Sequence, residues 1–283
     1  MADASLTPMA PLFTAEQFPP LYAELVGLLR SLGPDDWDRP TLAPRWSVRD
    51  VAAHMLDIDL RGLSFPRDDH FVPDDGPIET YADLVALINR LNEMGVRYLR
   101  RLSPRLMIDL FELTGPRVAE QVASQPPHGQ ARHSVAWAGE QTSENWMNIG
   151  REYTERWHHQ MQIREAVGAP RLLERRWLHP VLDLSVRALP RAYADTAAPT
   201  GTTLVLEVAG EGGGAWSLVR EEADWRVWRG AAADAATRVR LEPDAAWKMF
   251  FNALGAERAA ADAAVTGDER LAKPLFRARA VMV

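Results

Sequence analysis

The spacing of apolar residues changes near residue 195, and this change restricts the fold more than any other feature. Before it, apolar residues recur at helical spacing, as they do over residues 80–102. From residue 203 onwards, four segments alternate apolar and polar residues between short turn-rich stretches, which predicts an antiparallel meander. We therefore predict an α+β protein, with a helical bundle over residues 1–195 and a small α+β domain over residues 196–283.

Capping and breaking residues give the limits of the predicted helices. The first helix begins either at Thr14, a possible cap, or at the two prolines at 19–20. Ser47 and Asp50 cap the second helix, and Gly168 ends a long helix. The predicted helices cover residues 14–31, 48–60, 80–102, 143–167, 175–194 in two pieces around Pro180 and Pro190, 243–254 and 271–282, with loops at 33–46 and 63–78. Between residues 103 and 139 only a short helix at 106–113 is predicted.

The charge distribution argues against a nucleic-acid or membrane partner. The formal net charge is -7, and no run of basic residues offers the clustered positive charge that phosphate binding needs. The sequence also has neither a secretory signal at its start nor an apolar run of about 18 residues that could span a membrane. We expect a cytoplasmic protein whose partners are small molecules, and the sequence does not indicate an oligomeric state.

The chain contains no cysteine, which excludes disulfides, thiolate metal sites and a cysteine nucleophile. Any metal must therefore be held by histidine and carboxylate side chains. If thiol chemistry takes place, the thiol has to come from another molecule.

Glu155 and His159 lie one helical turn apart, so a carboxylate and an imidazole share one face of the predicted long helix. A third ligand is available from His54, which lies among apolar residues of the second helix. Two histidines and one carboxylate leave a coordination position open, as in catalytic metal sites. Such a set suits zinc and also ferrous iron.

The candidate ligands also fit simpler structural roles. The polar stripe that holds Glu155, His159 and Gln162 could be the solvated face of its helix, and His54 could be a hydrogen-bonded core residue. His158 is a rival ligand, but it is rotated by about 100° from His159, so we prefer His54, Glu155 and His159. We expect the remaining histidines to lie on the surface: His70, His128, His133 and His179.

Several segments resemble the DinB-like superfamily, and in particular its mycothiol-dependent maleylpyruvate isomerase branch. The most specific part of the resemblance joins Trp46, the Arg49-Asp50 pair and His54 to Glu155 and His159 about a hundred residues later. The segments VRLEPDAAWKMFF and VTGDERLAKPLF are similar to the small sterol-carrier-like C-terminal domain of that branch. The resemblance thus extends over nearly the whole chain.

The resemblance implies a four-helix bundle that binds a divalent metal, usually zinc, through positions that match His54, Glu155 and His159. It also implies that a low-molecular-weight thiol, commonly mycothiol, binds the metal as a thiolate and adds to an electrophilic small molecule. The result would be cis–trans isomerisation or S-transfer. An arginine of the C-terminal domain is expected near the substrate, but the resemblance matches it to no single position.

Two other functions remain open at the level of the sequence. The metal could activate water, which would make the protein a DinB-type hydrolase. Alternatively, the bundle could be structural and the C-terminal domain could bind a lipid or another small molecule without catalysis.

Overall fold

A computed structural model describes residues 6–70 and 79–282 of the chain. The helices among these residues are α1 (Phe18–Ser31), α2 (Val48–Gly62), α3 (Tyr81–Leu99), α4 (Pro104–Ala123), α5 (Asn145–Val167), α6 (Arg175–Ser185), α7 (Leu189–Ala192), α8 (Pro243–Phe250), α9 (Ala256–Ala261) and α10 (Glu269–Ala272). The strands are β1 (Thr7–Pro8), β2 (Thr203–Val208), β3 (Gly214–Arg220), β4 (Trp225–Arg229), β5 (Thr237–Leu241) and β6 (Ala264–Gly267). The predicted α+β class is confirmed.

The chain forms two compact units. The helical unit contains Phe13–Arg132 and Glu155–Arg171, and the sheet unit contains residues 6–12, His133–Thr154 and Leu172–Met282. This division does not coincide with the predicted boundary near residue 195, because α6 and α7 belong to the sheet unit. The domain limits themselves stay a prediction.

Capping residues and prolines mark the observed starts of three helices, α1, α2 and α3. Ser47 accepts a hydrogen bond from the backbone N–H of Asp50, whose carboxylate accepts one from the Ser47 backbone at 3.0 Å. Thr80 caps α3 in the same way. Helix α1 begins at Phe18 with its two prolines in the first turn. A 3-10 turn, Ala15–Gln17, leads directly into it, and Thr14 precedes this turn without making a side-chain cap.

Helix α4 is the largest difference from the sequence prediction, which gave only a short helix at 106–113. The helix runs for 20 residues and contains Gly115 and Pro116, two residues that normally break helices. The glycine has a packing role, because a Cβ placed on it would come within 2.9 Å of the Tyr22 ring of α1. Gly115 therefore permits the close approach of α1 and α4.

The predicted loop at 63–78 is also partly wrong. Residues Leu63–Arg67 continue from α2 as one turn of π-helix, although this turn contains Pro66. Residues 71–78 of the predicted loop lie outside the described part of the chain.

A buried polar network joins four helices of the helical unit. Asp59 of α2 accepts hydrogen bonds from Arg156 of α5 at 3.0 Å, from Tyr22 of α1 at 2.5 Å and from Thr114 of α4 at 3.1 Å. Arg156 also donates to the Tyr22 hydroxyl at 2.9 Å. Burial raises the pKa of Tyr22 well above its usual value, so this hydroxyl remains a hydrogen-bond donor at neutral pH.

The sheet unit holds one mixed sheet of six strands in the order β1-β4-β3-β2-β5-β6. The four predicted strands are present, but the antiparallel meander is only partly correct. Strands β2, β3 and β4 are antiparallel neighbours, whereas β5 lies parallel to β2 on its other side. The two short edge strands β1 and β6 were not predicted from the sequence.

Helix α6 and the sheet are joined through Asp183, which is fully buried. Its carboxylate accepts hydrogen bonds from Trp216 at 3.1 Å and from Arg229 at 2.8 Å. Helix α6 runs through Pro180 without interruption, and the break falls at residues 186–188 instead. The predicted closing helix at 271–282 is wrong, because this stretch holds only the end of α10 and one turn of 3-10 helix.

None of the helices in residues 6–70 and 79–282 is both long and apolar enough to cross a membrane.

We expect Arg156→Met to lower the free energy of unfolding by about 3–5 kcal/mol, because it leaves the buried Asp59 carboxylate without its cation. Urea denaturation followed by circular dichroism measures the change. The double variant Asp59→Leu/Arg156→Met should recover part of the loss, since it removes both charges.

The matched control is Arg30→Met, which removes an exposed ion pair with Glu112 between α1 and α4. This change should cost about 0–1 kcal/mol. Equal losses in Arg156→Met and Arg30→Met would contradict a dominant role for the buried pair.

Candidate functional site

The polar stripe of α5 is not a solvated face in the region of the candidate ligands. Relative to a fully exposed residue, His159 is 7% exposed and Gln162 is 5% exposed. Glu155 retains 17% of its side-chain exposure. The interpretation as a solvated face is therefore wrong for this part of the helix, and these polar groups need partners inside the helical unit.

The two neighbouring turns of α5 bring three potential ligands together. The Glu155 carboxylate lies 3.5 Å from His159 Nε2 and 4.0 Å from His158 Nδ1. One ligand atom from each of these three residues lies within 4.8 Å of the others. The centroids of the two imidazole rings are 3.9 Å apart.

Gln162 determines which nitrogen of His159 carries a proton. Its amide oxygen lies 3.0 Å from His159 Nδ1 and can only accept a hydrogen bond, so Nδ1 is the donor. In the neutral ring, Nε2 then has the lone pair, and this is the atom beside Glu155. A hydrogen bond from the distal nitrogen is the arrangement that orients a metal-binding histidine.

His54 of α2 lies beside this cluster, where its ring contacts that of His159. It is 3% exposed, and its ring centroid lies 4.6 Å from that of His159. Its Nδ1 atom is buried and has no hydrogen-bond partner among the described residues. Burial lowers the pKa of His54 well below its usual value, and the charges of His159 and Arg61 lower it further, which favours the neutral imidazole.

Trp46 packs on both imidazoles that were predicted as ligands. Its ring centroid lies 4.7 Å from that of His54 and 6.2 Å from that of His159. The indole therefore provides an apolar wall on one side of the cluster. Such a wall limits the access of water to the two rings.

The group whose ligand atoms lie close together is Glu155, His158 and His159, whereas His54 is placed beside it by its ring contact with His159. The set of His54, Glu155 and His159 stays a prediction. His158 is not among the predicted ligands because of its rotation around the helix, but the residue is buried and belongs to the cluster with Glu155 and His159. The Glu155–His158 spacing of three residues is the sequence signal for this neighbour.

The four remaining histidines do not belong to the group of close ligand atoms. His70, His128 and His133 are exposed, as predicted. His179 is half-buried, its ring stacks on Trp216, and its Nδ1 lies 2.9 Å from the carbonyl oxygen of Gly213. It belongs to the packing of the sheet unit.

The residues of this cluster fit a divalent metal. A buried imidazole nitrogen without a hydrogen-bond partner, an oriented imidazole and a carboxylate are together a set of neutral and anionic donors. Two histidines and one carboxylate are the donor types of both catalytic zinc and non-haem ferrous sites.

Comparisons with solved structures agree with the observed fold. Two crystal structures of mycothiol-dependent maleylpyruvate isomerase, one of them of a point mutant, match with a TM-score of 0.54. Each match covers 89% of this chain and 91% of the other chain at 11% sequence identity. At that identity the likeness concerns the fold alone.

Comparisons of the sequence identify two relatives of this chain and the family to which it belongs. Two uncharacterized proteins of Mycobacterium tuberculosis, from strains CDC 1551 and H37Rv, are 26% identical over 212 residues, which is 75% of this chain and 78% of each relative. The family model described as the mycothiol maleylpyruvate isomerase N-terminal domain matches residues 18–164. This match spans more than half of the chain and includes every residue of the candidate metal cluster, so the chain belongs to the mycothiol maleylpyruvate isomerase family.

Proposed function

We propose that this protein is a metal-dependent enzyme that uses a low-molecular-weight thiol, mycothiol in the first place, to isomerise the double bond of an electrophilic small molecule. We propose His54, Glu155 and His159 as the metal ligands, and zinc as the metal. The observation that carries the proposal is the cluster of buried imidazoles and one carboxylate inside the segment that the family model matches. The proposed partners are a thiol and a small electrophile.

The donor set supports a metal with an open position, because three protein ligands leave room for a fourth group. When bound, such a metal lowers the pKa of a thiol at that position, so the thiol is held as a thiolate at neutral pH. The chain has no cysteine that could compete for this position. The thiol would therefore be an exchangeable cosubstrate.

The proposed isomerisation consists of addition and elimination. The thiolate sulfur forms a bond to one carbon of a cis double bond, and the π electrons move into the conjugated carbonyl group. The remaining C–C single bond rotates. The electrons then return, the C–S bond breaks and the trans double bond forms, so the thiol is regenerated unchanged.

The residues of the chain have separate tasks in this scheme. Gln162 keeps His159 in one tautomer. The ion pair of Arg156 with Asp59 fixes the rotation of α5 about its axis, and with it the direction of the neighbouring Glu155. Trp46 covers the two histidine rings and limits the access of water. A site with little water favours addition of the thiolate over side reactions with solvent.

S-transfer differs from isomerisation only in the last step, because the enolate carbon then takes up a proton from solvent and the sulfur stays bound to the product. The burial of His159 and Gln162 weighs against a bundle without a site. No observation favours hydrolysis or lipid binding over thiol chemistry.

We expect the purified protein to hold about one divalent metal ion per chain, and His54→Ala and Glu155→Ala each to lose it. Elemental mass spectrometry of the native protein and of both variants measures the content and identifies the metal. His158→Ala should retain the ion, because we propose His54 as the third ligand.

The exposed His70 provides the matched control, and His70→Ala should retain the ion. Loss of metal in His158→Ala with retention in His54→Ala would replace our ligand set by Glu155, His158 and His159. Absence of metal from the native protein after reconstitution would refute the metal site.

We expect Gln162→Leu to weaken metal affinity by roughly 10- to 100-fold, because His159 loses the acceptor that selects its tautomer. Competition with a fluorescent chelator measures the affinity, and circular dichroism checks the fold. Gln162→Glu keeps an acceptor and should retain the affinity. Equal affinities of Gln162→Leu and the native protein would contradict this role.

We expect the metal-loaded protein to convert maleylpyruvate to its trans isomer only when mycothiol is present, whereas Glu155→Ala should have no activity. Proton NMR follows the coupling of the vinylic protons and separates the trans acid from a stable thioether. Bacillithiol and glutathione serve as comparison thiols. Accumulation of a thioether would identify S-transfer, and no reaction with any of these thiols would refute the isomerase proposal.

A further inference from the structure

Arg61 lies on the face of α2 that carries His54. Seven residues separate the two, which places them within about 20° around the helix axis and about 10.5 Å apart along it. The arginine is therefore two turns away from the candidate metal cluster on the same side of the helix.

The pairing of α2 with α5 shows towards which part of the cluster Arg61 lies. His54 contacts His159, whereas Asp59, further along α2, contacts Arg156, which is earlier on α5. The two helices thus run antiparallel along this contact. Continuing along α2 towards Arg61 leads past Arg156, in the direction of the turn that holds Glu155.

Two neighbours hold the guanidinium of Arg61. Its Nε donates to the Asp57 carboxylate at 2.7 Å, and its Nη2 donates to the side-chain oxygen of Asn92 in α3 at 2.9 Å. The third nitrogen, Nη1, makes no hydrogen bond to any residue of the described ranges. The side chain keeps 37% of its exposure, so a small ligand can reach it.

Arg61 uses Nη2 for its bond to α3 and Nε for its bond to Asp57 within α2, so the packing contacts do not need Nη1. The Nη1 edge still offers two N–H groups, which are donors suited to a carboxylate.

We propose that Arg61 binds a carboxylate of the electrophilic substrate and thereby makes the site selective for unsaturated acids over their neutral esters. The inference rests on the proposed function for the nature of the substrate. It assigns Arg61 a role in positioning the substrate, in addition to its packing contacts with Asp57 and Asn92.

Isothermal titration calorimetry with maleate and with dimethyl maleate tests this role without turnover. We expect Arg61→Met to weaken maleate binding by roughly 10- to 100-fold, because one charge-assisted contact is lost, and to leave the neutral ester unaffected. Arg61→Lys keeps a positive charge and should recover part of the affinity for maleate. The exposed Arg30→Met is the control and should change neither titration.

A purely structural role predicts a different result, because a disturbed α2–α3 contact would weaken the acid and the ester equally. Equal weakening, or unchanged maleate binding in Arg61→Met, would overturn the inference. In turnover assays, Arg61→Met should raise KM for the acid and leave KM for the thiol unchanged.

The two proposals fail separately. If the native protein turns over maleylpyruvate with mycothiol but Arg61→Met binds maleate normally, only the role of Arg61 is refuted. If no thiol supports turnover but maleate binding depends on Arg61, the isomerase proposal is refuted and the anion site stands.

Discussion

The ion pair between Asp59 and Arg156 is the interaction on which the helical unit depends. Both side chains are almost fully buried, at 1% and 6% exposure, where an unpaired charge would be costly. Their hydrogen-bond partners, Tyr22 and Thr114, come from two further helices. An apolar core could hold the same four helices together, but this network also specifies which helices are neighbours and how each is rotated.

The rotation that the pair imposes places the candidate site. Glu155 precedes Arg156 by one residue and therefore lies about 100° away around α5, so it faces another side when Arg156 faces Asp59. His54 likewise precedes Asp59 by five residues, about 140° around α2. Each helix thus contributes one residue to the core pair, while His54 of α2 and Glu155, His158 and His159 of α5 face the candidate site, so the geometry of the site follows from the core.

Capping residues and helical spacing predicted the capped helices and the candidate ligands. They could not predict contacts between segments that are distant in the sequence. Gly115 and Pro116 normally indicate a break, and only the nearby Tyr22 ring explains why a glycine is needed inside α4. Alternating strands have the same pattern in parallel and antiparallel pairs, so the parallel partner of β5 could not be predicted. His158 was not predicted as a ligand, because the angle around the helix axis does not show how far a side chain can extend towards its neighbours.

The two units alternate along the chain, since the sheet unit takes residues 6–12, 133–154 and 172–282 and the helical unit takes the segments between them. Neither is a contiguous module that a gene fusion or a truncation could transfer intact. A cut near residue 195 would leave α6 without the sheet to which Asp183 is bonded through Trp216. A fragment that begins at residue 172 instead would keep α6 and its partner Trp216 in one piece.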